Sequence, residues 1–322
     1  MKKILFYTHN IFTKENPVGY RIQQYFPYLR KAGFAVTLTT TKTSLATVLK
    51  EASLSDIIVV QRVLLSSARL LLFKTFAKKI IYDFDDAVMY GSKGDSTTRR
   101  RRFGGIIKAS AAAFCGNAFL LDEAGRYKTS GLYCVPTVVE TDEYPVKEHK
   151  EHRPFVVGWI GSSSTLRYLE EIREVIVALS EMKDVECRII ADKPFNMDRP
   201  GIIFQKWNKD DEKSMVLDFD VGIMPVKDDI WSRGKCGLKL IQYMAAGLPS
   251  IAHPVGVARE IIQDGVNGFL RTDKNGWINA IEMIKNDTSL RQRIGEAARR
   301  TAEEKYSLKV WGPRYAEIVN SL

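Results

Sequence analysis

The feature that most constrains this chain is an alternation of short apolar runs with helix-like stretches, in an order that starts again halfway. Stretches 3–8, 34–40, 57–60, 79–82, 113–115 and 133–135 read as brief buried strands. Between the first two, residues 20–32 carry Ile22, Tyr25, Phe26, Tyr28 and Leu29 near helical spacing, and Gly33 stops that helix. Strands alternating with helices build a parallel sheet covered on both faces. Residues 146–154 are charged, lack an apolar pattern and follow Pro145, so they read as an interdomain linker. A new buried strand comes next at 155–160, and strands at 186–190, 202–204, 221–224 and 250–253 continue the pattern. Helices are expected at 237–246 and at 306–322, the latter with Trp311 and Tyr315 on one face. The 322 residues accommodate two domains of about 150 each.

Composition narrows the function classes. No apolar run approaches the roughly 18 residues that span a bilayer; the best, 70–73 and 80–82, are broken up by Lys74, Lys78 and Lys79. The basic-then-apolar start, Met1 to Tyr7, is too short for a secretory signal and reads as the first strand. Four cysteines, Cys115, Cys134, Cys187 and Cys236, form no CxxC pair, which suits reduced thiols in a cytoplasmic setting. The net charge of +10 favours acidic partners: nucleic acid, an anionic membrane face or phosphorylated substrates. No helix-turn-helix, RRM or KH signature is visible, so nucleic acid is not the expected partner.

Two stretches of the second half carry chemistry. The strand at 155–160 runs into Gly161, then Ser162, Ser164 and Thr165, then a helix. Ligands of open parallel sheets bind beyond the carboxyl ends of strands, where helix N-termini face phosphates. The hydroxyls serve either as donors to a phosphate or as an ordinary N-cap. Further on, Lys235, Lys239 and Gln242 are spaced by four and three, which puts them on one helical face. Lysines neutralise a diphosphate and an amide bonds ribose hydroxyls; the alternative is a solvated helix face.

Residues 237–252, then Pro254-Val255-Gly256, Glu260-Ile261-Ile262 and Gly265-Val266-Asn267-Gly268-Phe269-Leu270, resemble the donor-binding region of glycosyltransferase family four. Residues 135–144 and Asp220-Val221-Gly222-Ile223-Met224-Pro225 are similar to further family segments. The resemblance implies a GT-B fold: α/β, two Rossmann-like doubly wound parallel-sheet domains facing across a cleft. It implies an acceptor domain over 1–150, a nucleotide-sugar domain over 151–305, and a helix over 306–322 crossing back to the first domain. The implied activity is hexosyltransferase-like and metal-independent, with a nucleotide-sugar co-substrate and no cofactor. The implied acceptor is a glycan or lipid-linked hydroxyl in bacterial surface polysaccharide or lipopolysaccharide synthesis. The chain departs from the family at its two glutamates, whose places are taken by Gly234 and Gln242. That departure keeps an inactive sugar-binding protein in view, beside an epimerase or hydrolase of the same fold.

The resemblance sets Asp85, with Asp86 beside it, at the family's histidine position near the reacting sugar. A carboxylate there accepts the acceptor hydroxyl's proton, orients sugar hydroxyls or simply caps a loop. Asp83-Phe84-Asp85 also matches a metal-binding DxD, a weak signal in this fold, so no metal is expected. The loop after the first strand offers Gly19 and Arg21 to an acceptor or phosphate, or is a plain turn. Arg99 and Arg100, with Arg101 and Arg102, form a basic run that is either a solvated face or a seat for an anionic acceptor or the inner membrane leaflet. His149 and His152 are expected to be solvated, and His253 is expected to line the donor cleft.

Overall fold

The computed structural model describes residues 1–9, 20–91 and 94–322. Contacts divide them into two units. The first comprises residues 1–138, 229–236 and 310–322; the second comprises 139–228 and 237–309.

The first unit holds strands β1 (Lys2–Thr8), β2 (Phe34–Thr40), β3 (Ile57–Gln61), β4 (Ile80–Phe84), β5 (Ala112–Cys115) and β6 (Leu132–Cys134). They form one parallel sheet in the order β2-β1-β3-β4-β5-β6. The strand order reverses between β1 and β3, and such switch points open a crevice beyond the strands' carboxyl ends. The central strands β3, β4 and β5 are buried at every position. This is why they read as continuous apolar runs rather than alternating ones.

Helices cover both faces, and side chains mark their starts. Ser44, Ser66, Ser96 and Asn117 each accept a hydrogen bond from the backbone N–H three residues on. The helix expected over 20–32 is shorter, Phe26–Lys31, behind a 3-10 turn at Gln23–Tyr25. Pro27 explains the late start: without an N–H it fits only the first helical turn. The last helix, Leu308–Ser321, sends Tyr315 into this unit, stacked on Tyr25 at 4.1 Å and edge-on to Phe114 at 5.2 Å.

The second unit holds β7 (Phe155–Ile160), β8 (Val185–Ala191), β9 (Ile202–Lys206), β10 (Val221–Met224), β11 (Ser250–Ala252) and β12 (Phe269–Leu270). Their order is β12-β11-β10-β7-β8-β9, all parallel, with the switch point between β7 and β10. This is the Rossmann order. Gly158 and Gly222 let Phe219 and Tyr243 lie flat on the sheet, at positions a Cβ would fill.

Residues 146–154 are not the free linker expected from their charge. The Lys147 N–H donates to the Ala246 carbonyl at 2.9 Å, and Lys147 Nζ reaches the Leu217 carbonyl at 2.8 Å. His149 Nε2 lies 2.9 Å from the Gly247 carbonyl, and His152 Nε2 lies 2.8 Å from the fully buried Asp220 carboxylate. Backbone and side-chain partners on the second unit hold this segment. Neither histidine is simply solvated.

Candidate functional site

In the first unit, charged side chains gather where β1, β3 and β4 end. Arg62 follows β3 and has φ of 59°, the one positive value at a non-glycine residue among those described. An L-residue there costs roughly 1–2 kcal/mol. Its N–H donates to the Asp83 carbonyl at 2.8 Å, which holds the turn. The guanidinium then meets both carboxylates beyond β4, at 2.5 Å from Asp86 and 3.6 Å from Asp85. The second distance is an ion pair but not a hydrogen bond. Among the described residues, the buried Asp85 Oδ1 therefore has no hydrogen-bond partner, an arrangement that calls for an external donor. His9, just past β1, completes the rim. Desolvation first, then the Arg62 and Arg99 charges, hold its pKa below the ordinary value.

Asp83 lies beneath this rim and is unlike its neighbours. It is wholly buried and accepts from Arg21 Nε at 2.9 Å. Arg21 also donates to the Val135 carbonyl at 2.5 Å. Burial pushes the Asp83 carboxyl up to about 6, against the pull of Arg21. The expectation that Arg21 faces an acceptor, or solvent, is thus corrected: it is a buried tie joining β4, β5 and the chain after β6. Asp83 and Asp85 have different partners and do not form the pair that a DxD motif requires. Gly19 lies outside the described residues.

Residues 229–236 complete this site. Asn117 Nδ2 donates to the carbonyls of Arg233 and Lys235 at 3.2 and 2.9 Å. Gly116 has no room for a Cβ, which would lie 3.0 Å from Asp85 Cα and closer still to Cys236 Sγ. Gly234 is as tight against Ala87, 2.8 Å from its nitrogen. Lys235 Nζ reaches Asp86 at 3.0 Å. So Lys235 does not share a helical face with Lys239 and Gln242. The helix begins only at Leu238, after Gly237 in a left-handed conformation at φ 70°.

In the second unit, Gly161 ends β7. A Cβ there would lie 2.8 Å from Lys239 Nζ, so the glycine leaves the lysine its place. Lys239 Nζ also sits 5.1 Å over the Trp159 ring and 3.5 Å from Thr165 Oγ1. Ser162 Oγ and Ser164 Oγ are 2.8 Å apart. Strand β7 leads into a 3-10 helix, Ser163–Ile172, not an α-helix. Asp192, beyond β8, accepts from Ser163 N–H at 2.5 Å and Ser163 Oγ at 2.8 Å. A carboxylate therefore already occupies the helix start expected to face a phosphate. Gln242 is buried and donates to Glu212 and to Tyr144 Oη. It is thus not an exposed ribose clamp. Glu212, which sequence reasoning missed, brings a buried carboxylate to it. His253 lies past β11, with Nδ1 2.8 Å from the Val226 carbonyl and its ring edge-on to Trp277.

Arg99 and Arg100 also have partners: Arg99 Nε donates to the Val88 carbonyl at 2.9 Å, and Arg100 pairs with Asp95 at 2.7 Å and lies over Tyr90. Among the described residues no group of three His, Cys, Asp or Glu side chains is placed to hold a metal.

Residues 154–287, which span the second unit's sheet, match the family model described as glycosyl transferases group 1. The match covers less than half of the chain. Two curated relatives align over part of the chain. Sulfoquinovosyl transferase SQD2 of Arabidopsis thaliana is 24% identical over 180 residues, 48% of this chain and 33% of that protein. Alpha-D-kanosaminyltransferase of Streptomyces kanamyceticus is 30% identical over 90 residues, 27% and 23%. The matches thus take up well under half of either relative's length. Anabaena Alr3699/HepE, solved in complex with UDP-glucose, superposes with a TM-score of 0.77 at 14% identity over 100% of both chains. That likeness is one of fold, and the fold is GT-B.

Proposed function

We propose that this chain is a glycosyltransferase that moves a sugar from a nucleotide-sugar to a hydroxyl of a glycan or glycolipid. The setting we infer is assembly of a surface polysaccharide or lipopolysaccharide on the cytoplasmic side of a membrane. The observation that carries the reading is Asp85: a buried carboxylate oxygen with no hydrogen-bond donor among the described residues, just past β4 and beside a strained arginine. An acceptor hydroxyl supplies the missing donor.

The acceptor oxygen attacks the anomeric carbon as the bond from that carbon to the diphosphate oxygen breaks. The hydroxyl proton passes to Asp85, whose charge Arg62 balances, and general-base help of this kind is worth about 10²–10⁴ in rate. The nucleoside diphosphate leaves with the bonding pair, and Lys239 compensates its charge. The family match over residues 154–287 and the Rossmann order of the second unit support the donor assignment. So do the transferase names of the relatives and the UDP-glucose bound by the Anabaena protein.

A thermal-shift panel of UDP, GDP, ADP, TDP and CMP tests it. One nucleotide at 100 times its Kd is expected to stabilise the fold by about 2.7 kcal/mol, and Lys239→Ala is expected to remove most of that shift. If no nucleotide stabilises the wild type, the reading is wrong.

A further inference from the structure

Arg99 is a charge on the rim of the first unit that the proposed transfer does not use. It is the third residue of helix Thr97–Ala109, whose first turn holds no acidic residue and whose dipole opposes a cation there. Arg99 Nε donates to the Val88 carbonyl at 2.9 Å, which fixes the partly buried side chain. Among the described residues no carboxylate pairs with its terminal nitrogens. The other cations of the rim are matched. Arg62 meets Asp85 and Asp86, and Lys235 Nζ lies 3.0 Å from Asp86. Two carboxylates thus face three cations, and Arg99 is the one left over. Arg62 and Arg99 face a common space, since the charges of both act on the His9 ring and on Tyr82. Tyr82 is wholly buried, and its Oη has no hydrogen-bond partner among the described residues. A guanidinium without a counter-charge and a buried hydroxyl without a partner, side by side, fit an anionic ligand.

We propose that the sugar taken at Asp85 carries an anionic group, a carboxylate or a phosphate, and that Arg99 binds it. The terminal nitrogens of Arg99 donate the two parallel hydrogen bonds that either group accepts, while a sugar hydroxyl donates to Asp85. Val88, which anchors Arg99, stands three residues beyond Asp85, so hydroxyl and anion belong to one ligand. His9, kept neutral by desolvation and by the two arginines, offers a ring N–H beside them. The bound anion balances the surplus charge of the rim and suits the start of the helix. An uncharged sugar leaves the guanidinium unanswered. That this ligand is the acceptor rests on the transferase reading, but the anion site itself does not.

The test is equilibrium dialysis of the full chain, without donor, against labelled methyl glucoside, methyl glucuronoside and glucose 6-phosphate. Wild type is expected to bind at least one charged sugar about tenfold more tightly than the neutral one, and the two charged arms tell carboxylate from phosphate. Arg99→Gln is expected to lose that preference, with melting temperature and nucleotide shift unchanged. Arg101→Gln, which removes an exposed charge two residues on, is expected to keep it, as is Lys239→Ala in the second unit. The proposal is overturned if neither charged sugar binds wild type better than the neutral one, or if Arg99→Gln keeps the preference. It is also overturned if Arg101→Gln loses as much, which would make net charge the cause, or if Lys239→Ala does, which would put the anion in the donor site. Charged sugars that bind where no nucleotide does would sink the transferase reading alone, so the two fail separately.

Discussion

Arg62 and Asp85 show how single residues carry the proposed chemistry. Arginine has no preference for the left-handed region, so its φ of 59° persists because the Asp83 carbonyl and two carboxylates hold it. Arg62→Gly keeps that backbone at no steric cost and removes the charge. Stability is therefore expected to change by no more than about 1 kcal/mol, while kcat falls as Asp85 loses its counter-charge. Asp85→Asn keeps the shape and removes the base, with kcat expected to fall by about 10²–10⁴. A kcat unmoved by Arg62→Gly, or an Asp85→Asn enzyme at full rate, would remove these residues from the reaction. The sequence signalled Asp85 through the resemblance that sets it, after a strand, at the family's histidine position. It carried no sign of Arg62, because nothing in the residue type marks a left-handed turn.

At the scale of elements, the strands were legible because parallel strands buried on both faces are continuous apolar runs. β12 escaped because Phe269–Leu270 is too short to show a period. The arrangement of Lys235, Lys239 and Gln242 misled for a physical reason. Their spacing fits a helix, but Gly237 at φ 70° interrupts it, and Lys235 belongs with residues 229–236. The linker reading failed in a similar way: charge and proline predicted solvent, yet Asp220 gives His152 and Lys147 a buried partner. Close approach of residues 229–236 to Asp85 depends on Gly116. Gly116→Ala forces a Cβ into Asp85 and Cys236, and an overpacking loss of about 1–3 kcal/mol is expected in denaturant unfolding. An unchanged midpoint would mean the segment moves aside freely.

For the molecule as a whole, pH is a readable variable. Burial is the first cause holding His149 and His253 below their ordinary values. The unfolded chain then takes up protons at these rings more readily than the folded one. Stability is expected to be full above about 6.5 and to fall as pH drops from there toward the depressed folded values. His149→Gln should flatten part of that slope between about pH 7 and 5; an identical slope would show that the ring is not among the groups responsible. The unit composition also bears on engineering. The first unit is assembled from three separated stretches, and the last of them supplies Tyr315 to Tyr25 and Phe114. A chain truncated after the sixth strand would leave those rings bare. A hybrid exchanging halves at residue 150 would inherit a foreign 229–236 against Asp85, so swaps of donor preference should carry that octapeptide and the closing helix along with the front half.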